Sequence, residues 1–144
     1  MLKKYKGFLG NFWYDDTEFK HICGNFQYIG TETDGSKIKI PKGIKDCTCM
    51  FANSDITTPP VIPEGVIDCR HMFHNCRLLT KAPVIPEGVT DYRHMFDGCK
   101  SLQNYSLITA TDNVLSAYCY CPSVIQEIHC FTQHFKRKQK KKGT

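Results

Sequence analysis

The sequence predicts an α/β repeat solenoid built from units of 22–23 residues. The residues Ile-Pro-Glu-Gly-Val at 62–66 return at 85–89, and Arg-His-Met-Phe at 70–73 returns at 93–96. A looser copy of the first motif, Ile-Pro-Lys-Gly-Ile, stands at 40–44. Self-similarity at a fixed period in the twenties is typical of stacked repeat units. The array is predicted over 38–121, with units at about 40–61, 62–84 and 85–107 and a degenerate unit at 108–121.

Residues 1–37 precede the repeat and are predicted to cap its first unit. They hold eight of the 17 aromatic residues, and the end of a repeat array needs such an apolar cover. Asp34-Gly35-Ser36 is predicted to form the turn that leads into the array. The alternative for this segment is a partner-binding surface anchored by Trp13, because tryptophan is enriched at interface hot spots.

Each unit is predicted to contain a short β-strand followed by a short helical turn. The two prolines in 81–86 favour an extended backbone for the residues before them. Glycines recur at one register, which suits a turn that needs an unusual backbone angle; they are Gly43, Gly65 and Gly88. Aspartates follow three residues later, where each could accept hydrogen bonds as an N-cap; they are Asp46, Asp68 and Asp91. The large core side chains are predicted to be the Met-Phe pairs at 50–51, 72–73 and 95–96.

A family resemblance rests on this unit. The pattern Ile-Pro-Glu-Gly-Val-x-Asp-x-x-x-Met-Phe-x-x-Cys-x-x-Leu resembles the BspA-like leucine-rich repeat. Its Met-Phe pair is similar to a variant seen in mycoplasma-type surface lipoproteins and in some phage and bacterial proteins. The resemblance covers about 38–124 and implies one β-strand per unit, a concave sheet and a binding function. Outward-facing residues of that sheet would form the contact surface, with Thr58, Lys81 and Asn104 as candidates.

The chain is predicted to end in a capping helix over 122–135 and a basic tail over 136–144. Ser123 and Gln126 fit a capping box, and the apolar residues that follow have helical spacing. The net charge of +5 belongs to the tail, because the remaining residues carry 13 basic against 14 acidic side chains. The tail is predicted to be a disordered solubility extension, a contact for nucleic acid or an acidic partner, or a contact for an anionic membrane surface. Its basic residues are Lys136, Arg137, Lys138, Lys140, Lys141 and Lys142.

Nine cysteines stand in a chain whose N-terminal residues show no apolar leader, and no stretch has the length of a membrane span. The cysteines are therefore predicted to be reduced, buried small hydrophobes, and the compartment to be the cytoplasm, or the host-cell cytoplasm for a phage-encoded protein. Stacking at about 5 Å predicts columns of equivalent residues, among them Cys49, His71 and His94. Such a column invites a zinc hypothesis, but its spacing follows from the repeat, so no metal and no cofactor is predicted.

Arg70 and Arg93 are predicted to stack beside His71 and His94 as a small basic ridge, since arginine suits a carboxylate or phosphate partner. The alternative is that neighbouring aspartates neutralise these arginines. No phosphate loop, nucleophile elbow or paired-carboxylate motif is present in the sequence, which predicts that the protein is not an enzyme.

The predicted function is the binding of another macromolecule, most directly another protein, as an adaptor or stoichiometric inhibitor. A phage-type anti-defence protein, similar in action to an anti-CRISPR, is one concrete version, with a nucleic-acid-handling complex as its target. The alternatives are a nucleic-acid-binding protein that uses the tail, and a surface or adhesion protein of the kind that the family resemblance implies.

Overall fold

A computed structural model describes residues 1–7, 10–22, 24–103 and 117. Within residues 1–103, the described strands and the 3₁₀ helix all lie before the repeat. Strand β1 (Leu2–Gly7) pairs antiparallel with β2 (Gly10–Asp15), β3 (Phe19–Ile22) pairs antiparallel with β4 (Asn25–Tyr28), and a 3₁₀ helix spans Gly35–Lys37. Asp34 caps that 3₁₀ helix by accepting from the backbone N–H of Ser36 at 3.0 Å, which confirms the turn predicted there.

The prediction of an α/β repeat solenoid with leucine-rich-repeat units was wrong. Residues 38–103, all of which are described, contain neither an extended strand nor an α-helix. Where a parallel sheet was predicted, the units share only isolated parallel bridges, such as that between Lys39 and Val61. The prolines explain this outcome, because a residue without an N–H cannot donate to a strand ladder. They interrupt both stretches, as Pro59, Pro60 and Pro63 in one and as Pro83 and Pro86 in the next.

The predicted helical turns are also absent from 38–103, and irregular turns occupy their place. Cys49, His71 and His94 adopt left-handed backbone conformations with φ of 58°, 53° and 55°. A right-handed helix does not continue through such a residue. The aspartates still act as local caps, since Asp68 accepts from the backbone N–H of Arg70 at 3.0 Å, but each caps a turn rather than a helix.

Successive units are joined by backbone hydrogen bonds between equivalent turns. The N–H groups of Cys49 and Phe51 donate to the carbonyls of Arg70 and Met72, at 3.1 and 2.8 Å. Those of His71 and Phe73 donate in the same register to the following unit. The repeat therefore does set equivalent turns against one another, at the register that its period predicts.

The core follows this register. The rings of Phe51, Phe73 and Phe96 form a stacked column with centroids 5.6 Å apart at each step and interplanar angles of 11° and 2°. The methionines before them have no exposed surface; they are Met50, Met72 and Met95. The prediction that the Met-Phe pairs supply the large core side chains is confirmed.

The two hairpins close the core at the first unit. Side-chain alternation places Tyr5 and Phe12 on the inner face of β1 and β2, where both rings lie within about 5.0 Å of Phe26 or each other. Tyr28 continues the contact to Phe51, with ring centroids 5.2 Å apart, and its N–H donates to the carbonyl of Met50 at 2.7 Å. Of the described aromatic residues in the N-terminal segment, Phe19 and Tyr28 thus contact Phe51 of the first unit, whereas Trp13 is exposed.

Four of the described cysteines are free thiols buried in the core, as predicted, and Cys49 is a half-buried free thiol; the buried ones are Cys47, Cys69, Cys76 and Cys99. The Sγ of Cys76 donates to the carbonyl of Phe51 at 3.0 Å, and that of Cys99 donates to the carbonyl of Phe73 at 3.1 Å. Burial raises the pKa of Cys76 to about 11. Cys47 and Cys69 form a second buried pair, in which hydrogen bonding between the thiols and then burial raise the pKa of Cys47.

Three predictions concern residues outside the described part of the chain. These are the degenerate unit at 108–121, apart from Ala117, the capping helix at 122–135 and the basic tail at 136–144.

The glycine register is described and is confirmed for Gly43 and Gly65, whose φ values are 89° and 91°, but Gly88 does not have a positive φ.

Candidate binding surface of arginine and histidine

Equivalent turns of three units bring together the four residues that the sequence predicts as a ridge. Arg70 and His71 come from one turn, Arg93 and His94 from the next, and Thr48 takes the arginine position in the first unit. These five residues, called here the Arg–His ridge, line a surface depression of about 280 Å³. The turn-to-turn hydrogen bonds hold the register, so the ridge is a direct product of the repeat.

Each arginine of the ridge is held by the aspartate two residues before it. Arg70 donates from Nε and Nη2 to Asp68 at 3.1 and 2.9 Å, and Arg93 donates from the same atoms to Asp91 at 3.1 and 2.8 Å. The Nε of Arg70 also lies 3.5 Å from Oδ2 of Asp91, which links the two pairs. Hydrogen bonding from Arg93 lowers the pKa of Asp91 below its usual value. The aspartates therefore neutralise the ridge and orient its guanidinium groups, which is the alternative that the sequence left open.

The histidines stack in the predicted column. The ring centroids of His71 and His94 are 5.1 Å apart at an interplanar angle of 11°, and His74 meets the edge of His71 at 5.5 Å. Burial, and then the neighbouring imidazoles of His94 and His74, lower the pKa of His71. The surroundings of His71 therefore favour its neutral form.

A carboxylate that the sequence analysis missed lies beside this column. Oδ2 of Asp97 is 3.7 Å from Nδ1 of both His74 and His94, and neither Nδ1 has a hydrogen-bond partner among the described residues. Asp97 departs from the repeat, because it stands 23 residues after His74, at the position equivalent to it. Only the i, i+3 spacing from His94 could have pointed to it. A proton on either imidazole would convert this contact into an ion pair.

The remaining predicted contact residues do not join the ridge. Thr58 is half-buried and joins its unit to the turn at Asp34, because its hydroxyl donates to Asp34 at 2.8 Å and accepts from the N–H of Gly35 at 3.1 Å. Lys81 is exposed, but the sheet on which it was predicted to lie does not form. Trp13 is exposed on the outer face of the first hairpin. Asn104 and the tail residues Lys136, Arg137, Lys138, Lys140, Lys141 and Lys142 lie outside the described residues.

Within the described ranges, no group of three or more His, Cys, Asp or Glu side chains is arranged to hold a metal ion. The same residues contain no helix that is long and apolar enough to cross a membrane. No family model, curated protein or solved structure matches the chain. The resemblance of the unit to the BspA-like family therefore stays a prediction, and the architecture that it implied is not the one observed.

Proposed function

We propose that the protein acts by binding another protein, as an adaptor or a stoichiometric inhibitor, and that the Arg–His ridge is its contact surface. The observation that carries this proposal is the pre-oriented pair of arginines. The side chains of Arg70 and Arg93 keep 43% and 54% of their surface exposed although each is held by a carboxylate. Arginine is enriched in the central residues of protein interfaces, and a guanidinium that is already oriented loses less entropy on binding.

The guanidinium groups retain donors for a partner. Among the described residues, Asp68 and Asp91 engage only the Nε and Nη2 groups of Arg70 and Arg93. The Nη1 groups are left to donate to a carboxylate or a backbone carbonyl across an interface. The stacked imidazoles beside them add a flat, weakly polar surface of the kind that aromatic side chains of a partner can cover.

The charge of the ridge favours a protein over a polyanion. Two arginines are matched by two aspartates, and the lowered pKa of His71 favours its neutral form, so the surface presents paired opposite charges and not an unmatched positive patch. Nucleic acid binds proteins mainly through unmatched cations that release counterions from phosphates. A mixed-charge surface instead selects a partner with the complementary pattern.

Affinity capture from a bacterial lysate, with and without nuclease, tests this proposal. The wild-type chain is expected to retain one stoichiometric protein after nuclease treatment. The Arg70→Ala/Arg93→Ala variant should lose it, because truncating a hot-spot residue weakens binding by about tenfold or more. Arg77→Ala, which removes an exposed arginine outside the ridge, is the matched control and should bind as the wild type does.

Two outcomes would contradict the proposal. Equal retention of the partner by the double variant would show that the ridge is not the contact surface. Loss of every partner on nuclease treatment would instead favour the second candidate, nucleic-acid binding through the six basic residues of 136–144.

A further inference from the structure

The first hairpin, formed by β1 and β2, has an outer face whose side chains do not pack into the core. Strand alternation sends one set of side chains inward to the aromatic core and the other set outward. The outward set consists of Leu2, Lys4, Lys6, Asn11, Trp13 and Asp15, as the register of β1 with β2 shows. Trp13 lies opposite Lys4 in this register and keeps 57% of its surface exposed. Its neighbours in sequence, Phe12 and Tyr14, supply the inward aromatic contacts instead.

The exposed ring is flanked by cations. The Nζ of Lys4 lies 5.9 Å from the centroid of the Trp13 ring, within the range of a cation–π contact. Lys6 is on the same face, opposite Asn11. Neither lysine forms a salt bridge with any described carboxylate. Asp15, at the far end of the face, is engaged by the hydroxyl and backbone N–H of Thr17 at 2.7 and 2.9 Å.

We propose that this outer face binds single-stranded nucleic acid, with one base stacked on Trp13 and the adjacent phosphates contacted by Lys4 and Lys6. An aromatic platform beside unmatched cations is the arrangement that binds single strands without reading their sequence. The bases of a duplex are stacked on one another and cannot offer a free face, so the ring selects unpaired bases. Stacking engages the face of a base and not its hydrogen-bonding edge, so the expected preference is for single strands and not for a base sequence.

This surface differs in charge from the Arg–His ridge. On the ridge every guanidinium is matched by a carboxylate, whereas the lysines of the hairpin are not. Lysine also contacts phosphate as a flexible point charge, whereas the planar guanidinium of arginine matches a carboxylate through two hydrogen bonds of fixed geometry. Charge complementarity therefore assigns the anionic, aromatic ligand to the hairpin, independently of the protein partner proposed for the ridge.

The chain contains a single tryptophan, so its fluorescence reports on this site alone. Titration of the full chain with a short oligothymidine is expected to quench the emission of Trp13 through base stacking. An abasic oligomer of the same length keeps the phosphates without the bases and should bind without quenching. Equal quenching by both oligomers would overturn the stacking contact, and no quenching by either would overturn the site.

Substitutions with a labelled oligothymidine and anisotropy provide the second readout. Trp13→Ala should weaken binding by about tenfold, and Trp13→Phe, which keeps a ring, should restore most of it. Lys4→Ala/Lys6→Ala should also weaken binding, whereas the control Lys20→Ala/Lys42→Ala, with the same charge change at exposed lysines elsewhere, should stay within about twofold of the wild type. Wild-type affinity in Trp13→Ala, with the far-UV spectrum of the folded protein, would place all binding elsewhere and refute the proposal.

Discussion

Phe73 is the middle ring of the stacked column, and its removal is the sharpest test of how the repeat stabilises the fold. It has no exposed surface, and it contacts Phe51 on one side and Phe96 on the other at centroid distances of 5.6 Å. Each unit contributes one ring, so the column couples the stability of three units through direct ring contacts. Phe73→Ala would leave a cavity that neither neighbouring ring can fill without breaking the turn-to-turn hydrogen bonds.

The expected cost follows from burial and from ring contacts. A buried Phe→Ala substitution lowers the free energy of unfolding by about 3–5 kcal/mol through lost transfer energy and the cavity. Two aromatic pairs contribute about 1–3 kcal/mol of this, at about 0.5–1.5 kcal/mol each. Phe73→Leu keeps most of the volume and removes only the ring pairs, so its cost should be about 1–3 kcal/mol. Either loss is a large part of a typical stability of about 5–15 kcal/mol.

Urea denaturation followed by far-UV circular dichroism measures these differences. Leu78→Ala is the matched control, because this side chain lies in the same unit and is 51% exposed, and it should cost less than about 0.5 kcal/mol. A cost below about 1 kcal/mol for Phe73→Ala would refute the buried column. A cost near zero for Phe73→Leu would show that ring stacking contributes nothing beyond volume.

Two further predictions concern the turns. Gly35→Ala should destabilise the protein by about 3 kcal/mol or more, because a Cβ there would overlap the backbone of Thr58 and Pro59. The control is Gly88→Ala, whose Cβ would lie 3.8 Å from the nearest atom and which should change stability by less than about 1 kcal/mol. Thermal unfolding compares the two variants. His71 has a lowered pKa in the folded state, so the unfolded chain binds its proton first as the pH falls below 6.5, and stability should decrease between pH 7 and pH 5. The variant His71→Asn keeps a residue suited to the left-handed backbone and should flatten that decrease in urea titrations; an unchanged pH profile would contradict the assignment to His71.

The sequence predicts the register of this fold well because the register depends on side chains that must be buried. Met72 and Phe73 recur after 23 residues, and a large apolar pair at each recurrence must be buried in the core. The same argument predicts the stacked column of His71 and His94, since these residues are fixed in position by their buried neighbours. The ridge was therefore accessible from the repeat alone.

The secondary structure was not accessible in the same way, because the period constrains spacing and not backbone angles. The extended preference of 81–86 predicts a strand there, but its two prolines lack the donors that a ladder requires. The aspartate before His71 predicts a helical turn, yet an aspartate also caps an isolated turn. A left-handed φ at a histidine leaves no signal in a single sequence.

The role of Trp13 shows a third limit. Phe12, Trp13 and Tyr14 are consecutive, so a strand must turn at least one of them away from the core, and composition alone does not say which. The pairing of Gly7 with Gly10 sets the answer by fixing the register of the hairpin. With that register known, the lysines at 4 and 6 become part of one surface with the tryptophan, although they are nine and seven residues away from it in the chain.

Salt dependence separates the hairpin from the basic tail, because stacking and charge respond differently to ions. Each phosphate contacted on a single strand contributes about 0.7 to the slope of log affinity against log salt. Lys4→Ala/Lys6→Ala should therefore reduce the slope by about 1.4, and deletion of 136–144, with six basic residues, by up to about 4.2. Trp13→Ala should lower affinity at every salt concentration and leave the slope unchanged, since a base contact releases no counterion. A reduced slope in Trp13→Ala would mean that the ring acts by holding Lys4 in place, and a tail deletion that abolished the tryptophan quench would mean that the hairpin face has no affinity of its own.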